Sequence, residues 1–136
     1  MGLFLLLLAL AWAQPAVTPG FVRWVPPVVR DTAAYLTLEN RGKTPVRLVG
    51  AETGVAERVS FHQDYREQRG GQVVLGMRPL PHVDIPPGGK VVFRPGGYHL
   101  MLEGLKRPLK TGEKVELTLR FADGTRLKVI LPVEMR

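Results

Sequence analysis

The chain has 136 residues, no cysteine, one serine and a formal net charge of +7. The lack of cysteine excludes disulfides, thiolate metal ligands and cysteine nucleophiles. The one serine, Ser60, lies outside the G-x-S-x-G motif of serine hydrolases, and no carboxylate pair suggests a catalytic acid and base. We therefore do not expect an enzyme.

Residues 1–13, MGLFLLLLALAWA, are apolar and contain no charged side chain. This run is too short to span a bilayer comfortably, and Ala-Trp-Ala at 11–13 has the small-x-small pattern of a signal-peptidase site. We predict a signal peptide that ends at Ala13 or Gln14. Because its only positive charge is the α-amino group, an uncleaved anchor is the alternative. Residues 14–136 then form a single domain without a membrane span, exported to the periplasm or another extracytoplasmic compartment.

The positive charge is spread over the whole chain rather than concentrated in one segment. Few aromatic residues lie between the Lys and Arg residues, and an exported protein is separated from the nucleic acids of the cytoplasm. We therefore expect no nucleic-acid partner. The remaining explanations are a solvated basic surface and electrostatic steering towards an acidic partner.

Beyond the leader, short strand-like stretches alternate with turns rich in glycine, proline and asparagine. In residues 32–40, TAAYLTLEN, apolar and polar side chains alternate with the period of two that is typical of a half-buried strand. The same period recurs in residues 114–121, KVELTLRF, and Asp123-Gly124 then provides a tight hairpin turn. The predicted strands are 21–25, 32–40, 46–51, 58–62, 72–75, 90–94, 98–102, 114–121 and 126–134.

Turn signals separate these stretches throughout, among them Gly-Gly at 70–71, Pro-Pro-Gly-Gly at 86–89 and Pro-Gly-Gly at 95–97. Fifteen glycines and twelve prolines leave little room for a long helix. Many short strands at spacings of about 8–12 residues predict an all-β fold, an antiparallel sandwich or a Greek-key barrel.

A His-x-Met pair follows the last of these turns. If residues 98–102 are extended, His99 and Met101 project from the same face, because side chains alternate along a strand. Two further candidates, His62 at the end of a predicted strand and Met77 after the next strand, fall where loops gather at one end of a sandwich. Two imidazoles and two thioethers favour Cu(I), because Zn(II), Ca(II) and Mg(II) prefer thiolate, imidazole or oxygen ligands to soft thioether sulfur.

Each of these side chains also has a purely structural explanation. A methionine in a β-sandwich usually fills the core, and a histidine is more often a surface or capped residue. We assign no role in metal binding to His82, which stands between Pro81 and Val83 outside the pairing pattern, or to Met135 next to the last residue.

The segment 77–124, MRPLPHVDIPPGGKVVFRPGGYHLMLEGLKRPLKTGEKVELTLRFADG, closely resembles the PCuAC family of extracytoplasmic copper chaperones. The signature of that family is a histidine, a methionine and then a His-x-Met pair. Twenty-one residues separate Met77 from His99, as in the family. The likeness extends through AAYLTLENRG and Trp24, and so covers nearly all of the predicted mature chain.

The first histidine departs from the family pattern. Fourteen residues separate His62 from Met77, where family members typically have about ten, and Gln63 stands where the family often has a second methionine. The additional residues, within QDYREQRGGQ, are interpreted as a lengthened hairpin tip, which a surface connection tolerates at low entropic cost.

The resemblance implies a cupredoxin-like β-barrel that binds Cu(I) through His62, Met77, His99 and Met101. It also implies delivery of copper to the cytochrome c oxidase subunit that carries the CuA centre, alone or together with a Sco-type thiol protein. It does not imply electron transfer, because a blue-copper centre requires a cysteine thiolate and the chain has none. The alternative function is a basic β-sandwich interaction module that docks on an acidic membrane-protein surface without metal.

Overall fold

The structure, a computed structural model, describes residues 14–136; the predicted signal peptide lies outside them. Within this range the chain is all-β, with ten strands and no helix long and apolar enough to cross a membrane. The strands are β1 (Pro15–Arg23), β2 (Asp31–Asn40), β3 (Val46–Thr53), β4 (Ala56–Arg69), β5 (Gln72–Leu80), β6 (Val83–Ile85), β7 (Lys90–Phe93), β8 (Tyr98–Leu105), β9 (Lys114–Phe121) and β10 (Arg126–Glu134).

The strands form one continuous sheet in the order β5-β4-β8-β7-β2-β1-β10-β9-β3-β6. Neighbouring strands are antiparallel except for β1 with β10 and β7 with β8, which pair in parallel over one or two residues. Val22 pairs with Val133 where β1 meets β10, and this contact joins the two halves of the sheet. The halves enclose one apolar core, which confirms the cupredoxin-like all-β architecture predicted from the sequence.

The core is formed by alternate residues of the central strands, as the period of two predicts. On β9, Val115, Leu117 and Leu119 are at most 1% exposed, and the residues between them are half-buried or exposed. Leu100 and Leu102 of β8 belong to the same cluster. Burying a side chain of this size contributes about 1.5–3 kcal/mol to folding, so β8 and β9 are central to stability.

The predicted β9–β10 hairpin is confirmed. Its turn places Gly124 at φ 91°, a conformation that L side chains rarely adopt. The Asp123 carboxylate accepts a hydrogen bond from the Thr125 amide at 2.9 Å, which closes the turn locally.

Two strands are much longer than the sequence predicted. β4 continues beyond His62 to Arg69, and β5 runs from Gln72 to Leu80 instead of ending at Leu75. The lengthened hairpin is present, but its additional residues extend both strands and form no loop; the turn itself is Gly-Gly at 70–71. Backbone pairing with β5 keeps the segment QDYREQR extended. Because this segment lacks alternating apolar residues, its sequence does not predict a strand.

Two smaller differences concern β1 and β6. β1 begins at Pro15 and ends at Arg23, whereas residues 21–25 were predicted; a bulge between Pro19 and Phe21 breaks its period of two. β6 was not predicted, because three residues between proline-containing segments are too short to show a pattern.

Candidate metal centre

The four predicted ligands lie on three adjacent strands: Met77 on β5, His62 on β4, and His99 and Met101 on β8. His62 pairs directly with His99. Met101 follows His99 by two residues, and Met77 pairs with Asp64, which follows His62 by two residues. Because side chains alternate along a strand and paired residues share a face, all four ligands project from one face of the sheet. We call it the ligand face.

The ligand face is turned away from the main core. Phe61 and Leu100, which alternate with the ligands, point the other way into the core. On the ligand side, Ala33 of β2 pairs with Met101. It belongs to a small separate apolar cluster of Phe21, Ala33 and Tyr35.

The two imidazole rings stack with their centroids 5.6 Å apart and their planes inclined by 12°. Met77 and Met101 are diagonal neighbours of His62, at about 7–8 Å between backbone positions, a separation that long side chains span. Exposure rises across the face from the buried His99, through half-buried His62 and Met101, to Met77, which is 50% exposed. Met77 is therefore the most accessible of the four side chains.

His62 is held by a chain of hydrogen bonds through Ser60 and Glu103. The Ser60 hydroxyl lies 2.8 Å from His62 Nε2 and donates to Glu103 Oε1 at 2.6 Å. Arg58 Nε donates to Glu103 Oε2 at 2.5 Å. The hydrogen bonds from Ser60 and Arg58 lower the pKa of Glu103, which is therefore a carboxylate at neutral pH. The other ring nitrogen of His62, Nδ1, is buried and has no hydrogen-bond partner within residues 14–136.

His99 lies against Asp64, two residues beyond His62 on β4. Its Nδ1 is 3.8 Å from Asp64 Oδ1, which is longer than a hydrogen bond. The Asp64 amide donates to the Gly97 carbonyl at 3.0 Å, and this bond ties the Pro-Gly-Gly turn that precedes β8 to β4. The turn thereby fixes the position of the start of β8, and of its His-x-Met pair, relative to β4.

An open cavity of about 660 Å³ adjoins the exposed edge of the ligand face. It is lined by Leu75 and Met77 from β5, by Asp64 and Arg66 from β4, and by Gly96 from the turn before β8. A bare metal ion needs far less space, so this cavity leaves room for a larger group to reach Met77.

The donors on the ligand face are two imidazoles and two thioethers. Across the part of the chain that the structure describes, no group of three or more His, Asp or Glu side chains is placed to hold a metal ion. The two thioethers are soft, uncharged donors that suit Cu(I) better than Zn(II), Mg(II) or Ca(II), which favour thiolate, imidazole or oxygen ligands.

His62 was predicted at the end of a strand and Met77 beyond the next strand, where loops gather at one end of a sandwich, and that placement is wrong. Both residues lie within strands, because β4 and β5 continue past the residues that show apolar alternation. His82 precedes β6 at the opposite edge of the sheet, with Nε2 3.7 Å from Asp84, and Met135 follows the end of β10.

Ser60, Asp64 and Glu103 were not predicted as part of the site. The sequence contained a signal for them, S-x-H-x-D at residues 60–64 and H-x-M-x-E at residues 99–103. Polar residues at alternate positions of two strands share a face when those strands pair, but the pairing of β4 with β8 is visible only in the fold.

Sequence comparison places this chain among lipoprotein-like relatives. Residues 15–133 match the family model described as "Putative lipoprotein LpqE-like". The chain is 35% identical over 103 residues to "Putative lipoprotein Lxx21020" of Leifsonia xyli subsp. xyli, covering 76% of this chain and 60% of that protein. It is 29% identical over 118 residues to "Uncharacterized protein RP573" of Rickettsia prowazekii, covering 84% of this chain and 58% of that protein. The chain thus spans about three fifths of the length of these relatives.

Solved structures resemble the fold over nearly the whole described range. The solution structure of CuI-DR1885 from Deinococcus radiodurans is 39% identical, with a TM-score of 0.67, and covers 90% of this chain and 77% of its own. The copper-bound PCuAC domain from PmoF2 is 20% identical, with a TM-score of 0.72, covers 90% of this chain and 93% of its own, and shows the fold alone. The chain belongs to the LpqE-like family, and its assignment to the PCuAC family, predicted from the His-x-Met segment, is confirmed.

Proposed function

We propose that the protein binds one Cu(I) ion on the ligand face, through His62, Met77, His99 and Met101, and carries it outside the cytoplasm. The proposal rests on one observation: two histidines and two methionines, side chains that can bind copper, project from one face of three adjacent strands. The buried, unpartnered Nδ1 of His62 adds to it, because a buried polar atom without a hydrogen bond is unfavourable unless something binds it.

Copper fits these donors as a cargo. Thioethers and neutral imidazoles bind Cu(I) without thiolate, so the site is not lost to disulfide formation in an oxidising compartment. Because ligating imidazoles must be neutral, Cu(I) binding should weaken as the solution becomes more acidic.

The solved relatives support copper as the metal, and the family model and the Leifsonia protein support export. The Deinococcus radiodurans protein was determined with Cu(I) and the PmoF2 domain with copper. The family and the Leifsonia protein are both described as putative lipoproteins, which are exported proteins. These descriptions agree with the signal peptide predicted for residues 1–13 and with a periplasmic or other extracytoplasmic location.

The exposure gradient of the ligand face suits transfer rather than storage. His99 anchors the buried side, whereas Met77 is half exposed beside an open cavity. A ligand of a recipient protein reaches copper most easily from the Met77 side, where it replaces a neutral thioether before the imidazoles release the ion. The recipient that the family resemblance suggests is the CuA-bearing subunit of cytochrome c oxidase, supplied by this protein alone or together with a Sco-type thiol protein.

Anaerobic titration with Cu(I) against a competing chelator tests the proposal. We expect one tight equivalent for the wild type and a large loss of affinity for the double variant His99→Ala/Met101→Ala. The double variant His82→Ala/Met135→Ala is the matched control, because it removes the same two residue types away from the ligand face and should bind like the wild type. Tight binding that survives the loss of His99 and Met101 would overturn the proposal.

A metal-free interaction module is the second candidate. The net charge of +7 and the exposed apolar residues Val73 and Leu75 on β5 favour it. It predicts association with an acidic membrane-protein surface that weakens with salt, occurs in copper-free buffer and is unaffected by the His99→Ala/Met101→Ala change. Loss of association when copper is withheld would exclude it.

A further inference from the structure

The hydroxyl group of Ser60 links the carboxylate of Glu103 to the imidazole of His62. A serine hydroxyl has one hydrogen to donate, and here it is donated to Glu103 Oε1 at 2.6 Å. The Ser60 oxygen, 2.8 Å from His62 Nε2, can then only accept a hydrogen bond from that nitrogen. The hydrogen-bond direction therefore requires that Nε2 of His62 carry the proton.

The protonation of Nε2 determines which nitrogen can bind a metal. In a neutral imidazole one nitrogen carries hydrogen and the other has the free lone pair. With hydrogen on Nε2, the lone pair of His62 is on Nδ1. That atom is buried and has no hydrogen-bond partner among the described residues.

Within residues 14–136, Ser60 is the hydrogen-bond partner of His62 Nε2. Glu103 Oε1 is 3.7 Å from His62 Nε2, too far for a direct hydrogen bond, so Ser60 mediates the contact. The second oxygen of Glu103 is occupied by Arg58. On the neighbouring strand β8, the ring of His99 stacks on the ring of His62, and Nδ1 of His99 faces Asp64.

We propose that Ser60 and Glu103 are positioning residues that hold His62 as its Nε2–H tautomer, so that Nδ1 is the atom presented to Cu(I). This rests on the proposed function, because it names the donor atom of the same site. It assigns a role to the only serine of the chain, which no catalytic motif uses. A partner that fixes the tautomer of a metal-binding histidine commonly changes metal affinity by about 10–100-fold when it is removed.

Nitrogen NMR of the metal-free protein tests the tautomer directly. In protein labelled with 15N-histidine, we expect the wild type to show His62 with hydrogen on Nε2. In Glu103→Gln, Arg58 retains the amide oxygen, and the amide nitrogen then donates to Ser60. The hydroxyl hydrogen must turn to His62 Nε2, so the tautomer should invert to Nδ1–H. Ser60→Ala should instead leave a mixture of the two forms.

Glu113→Gln is the matched control for this experiment. Glu113 is also paired with an arginine, Arg107, but it lies in the turn before β9 and away from the ligand face. The control should leave the tautomer of His62 and the Cu(I) affinity unchanged. Thermal unfolding of each variant shows whether it is folded before its spectrum is interpreted.

Cu(I) loading supplies the second measurement. In the wild type, the resonance of His62 Nδ1 should move most on binding, and Glu103→Gln should lose about tenfold in Cu(I) affinity against a competing chelator. A wild-type His62 with hydrogen on Nδ1, or a copper-induced shift at Nε2, would overturn the inference while leaving copper binding intact. Failure of the wild type to bind Cu(I) would instead refute the proposed function, and the metal-free spectra would still decide whether Ser60 and Glu103 fix the tautomer.

Discussion

Two hairpins of this protein have similar glycine turns but different roles in the fold. The β9–β10 hairpin turns at Asp123-Gly124 and the β4–β5 hairpin at Gly-Gly 70–71, with glycine at positive φ in both. On β9, alternate side chains are almost completely buried, whereas β5 has no buried residue and its Leu75 is 71% exposed. One hairpin builds the core, and the other presents side chains at the surface.

The β4–β5 hairpin is held by its backbone ladder and by contacts at its surface. Nine residue pairs connect the two strands. The Arg78 guanidinium lies 4.6 Å from the centroid of the Tyr65 ring, a contact worth about 0.5–1 kcal/mol at an exposed site. Because little apolar area is buried here, exposed residues of β5 such as Leu75 can change with little effect on the rest of the fold. Copper binding and stability should therefore respond to different substitutions.

The largest expected effect is on stability and separates the two hairpins. Leu117→Ala, in the buried face of β9, should lower the free energy of unfolding by about 2–5 kcal/mol, because it leaves a cavity in the core. Leu75→Ala, the same substitution on β5, should change it by less than about 0.5 kcal/mol. Urea denaturation of both variants measures the difference. Equal losses would show that β5 contributes to folding and would remove the contrast between the hairpins.

The second effect is on copper binding and leaves stability unchanged. Met77→Ala should weaken Cu(I) binding by at least about tenfold, since it removes a proposed ligand. Even residues that only hydrogen-bond to a metal ligand have effects of this size. Its unfolding curve should match the wild type, because Met77 is half exposed. Leu75→Ala is the control, as it removes a neighbouring apolar side chain from the same face of β5. Wild-type affinity in Met77→Ala would restrict the site to the two histidines and Met101.

The same contrast explains what the sequence could predict. For β9 and β10, burial imposes an alternation of apolar and polar residues that can be recognised without the structure. For β4 beyond His62 and for β5, extension depends on a partner strand, and residues such as Gln63 and Arg69 carry no trace of it. The candidate ligands of the proposed site could be named from the sequence because histidine and methionine have distinctive chemistry. Their arrangement depends on a register between strands distant in sequence, which local patterns do not contain.

The smallest expected effect is on the acid stability of the β9 end. Glu113 accepts hydrogen bonds from the Arg107 side chain and the Lys110 amide, which lower its pKa from 4.5 to about 2. A lowered pKa means that the folded state favours the carboxylate, so this stabilisation is complete above pH 4.5 and is lost as the pH falls towards 2. Because Arg107 is exposed, Glu113→Gln should lower the Tm by only about 2–4 °C at neutral pH. Thermal unfolding from pH 7 to pH 2 should show this difference shrinking below pH 4.5. A difference that stays constant with pH would mean that the charge of Glu113 does not stabilise the start of β9.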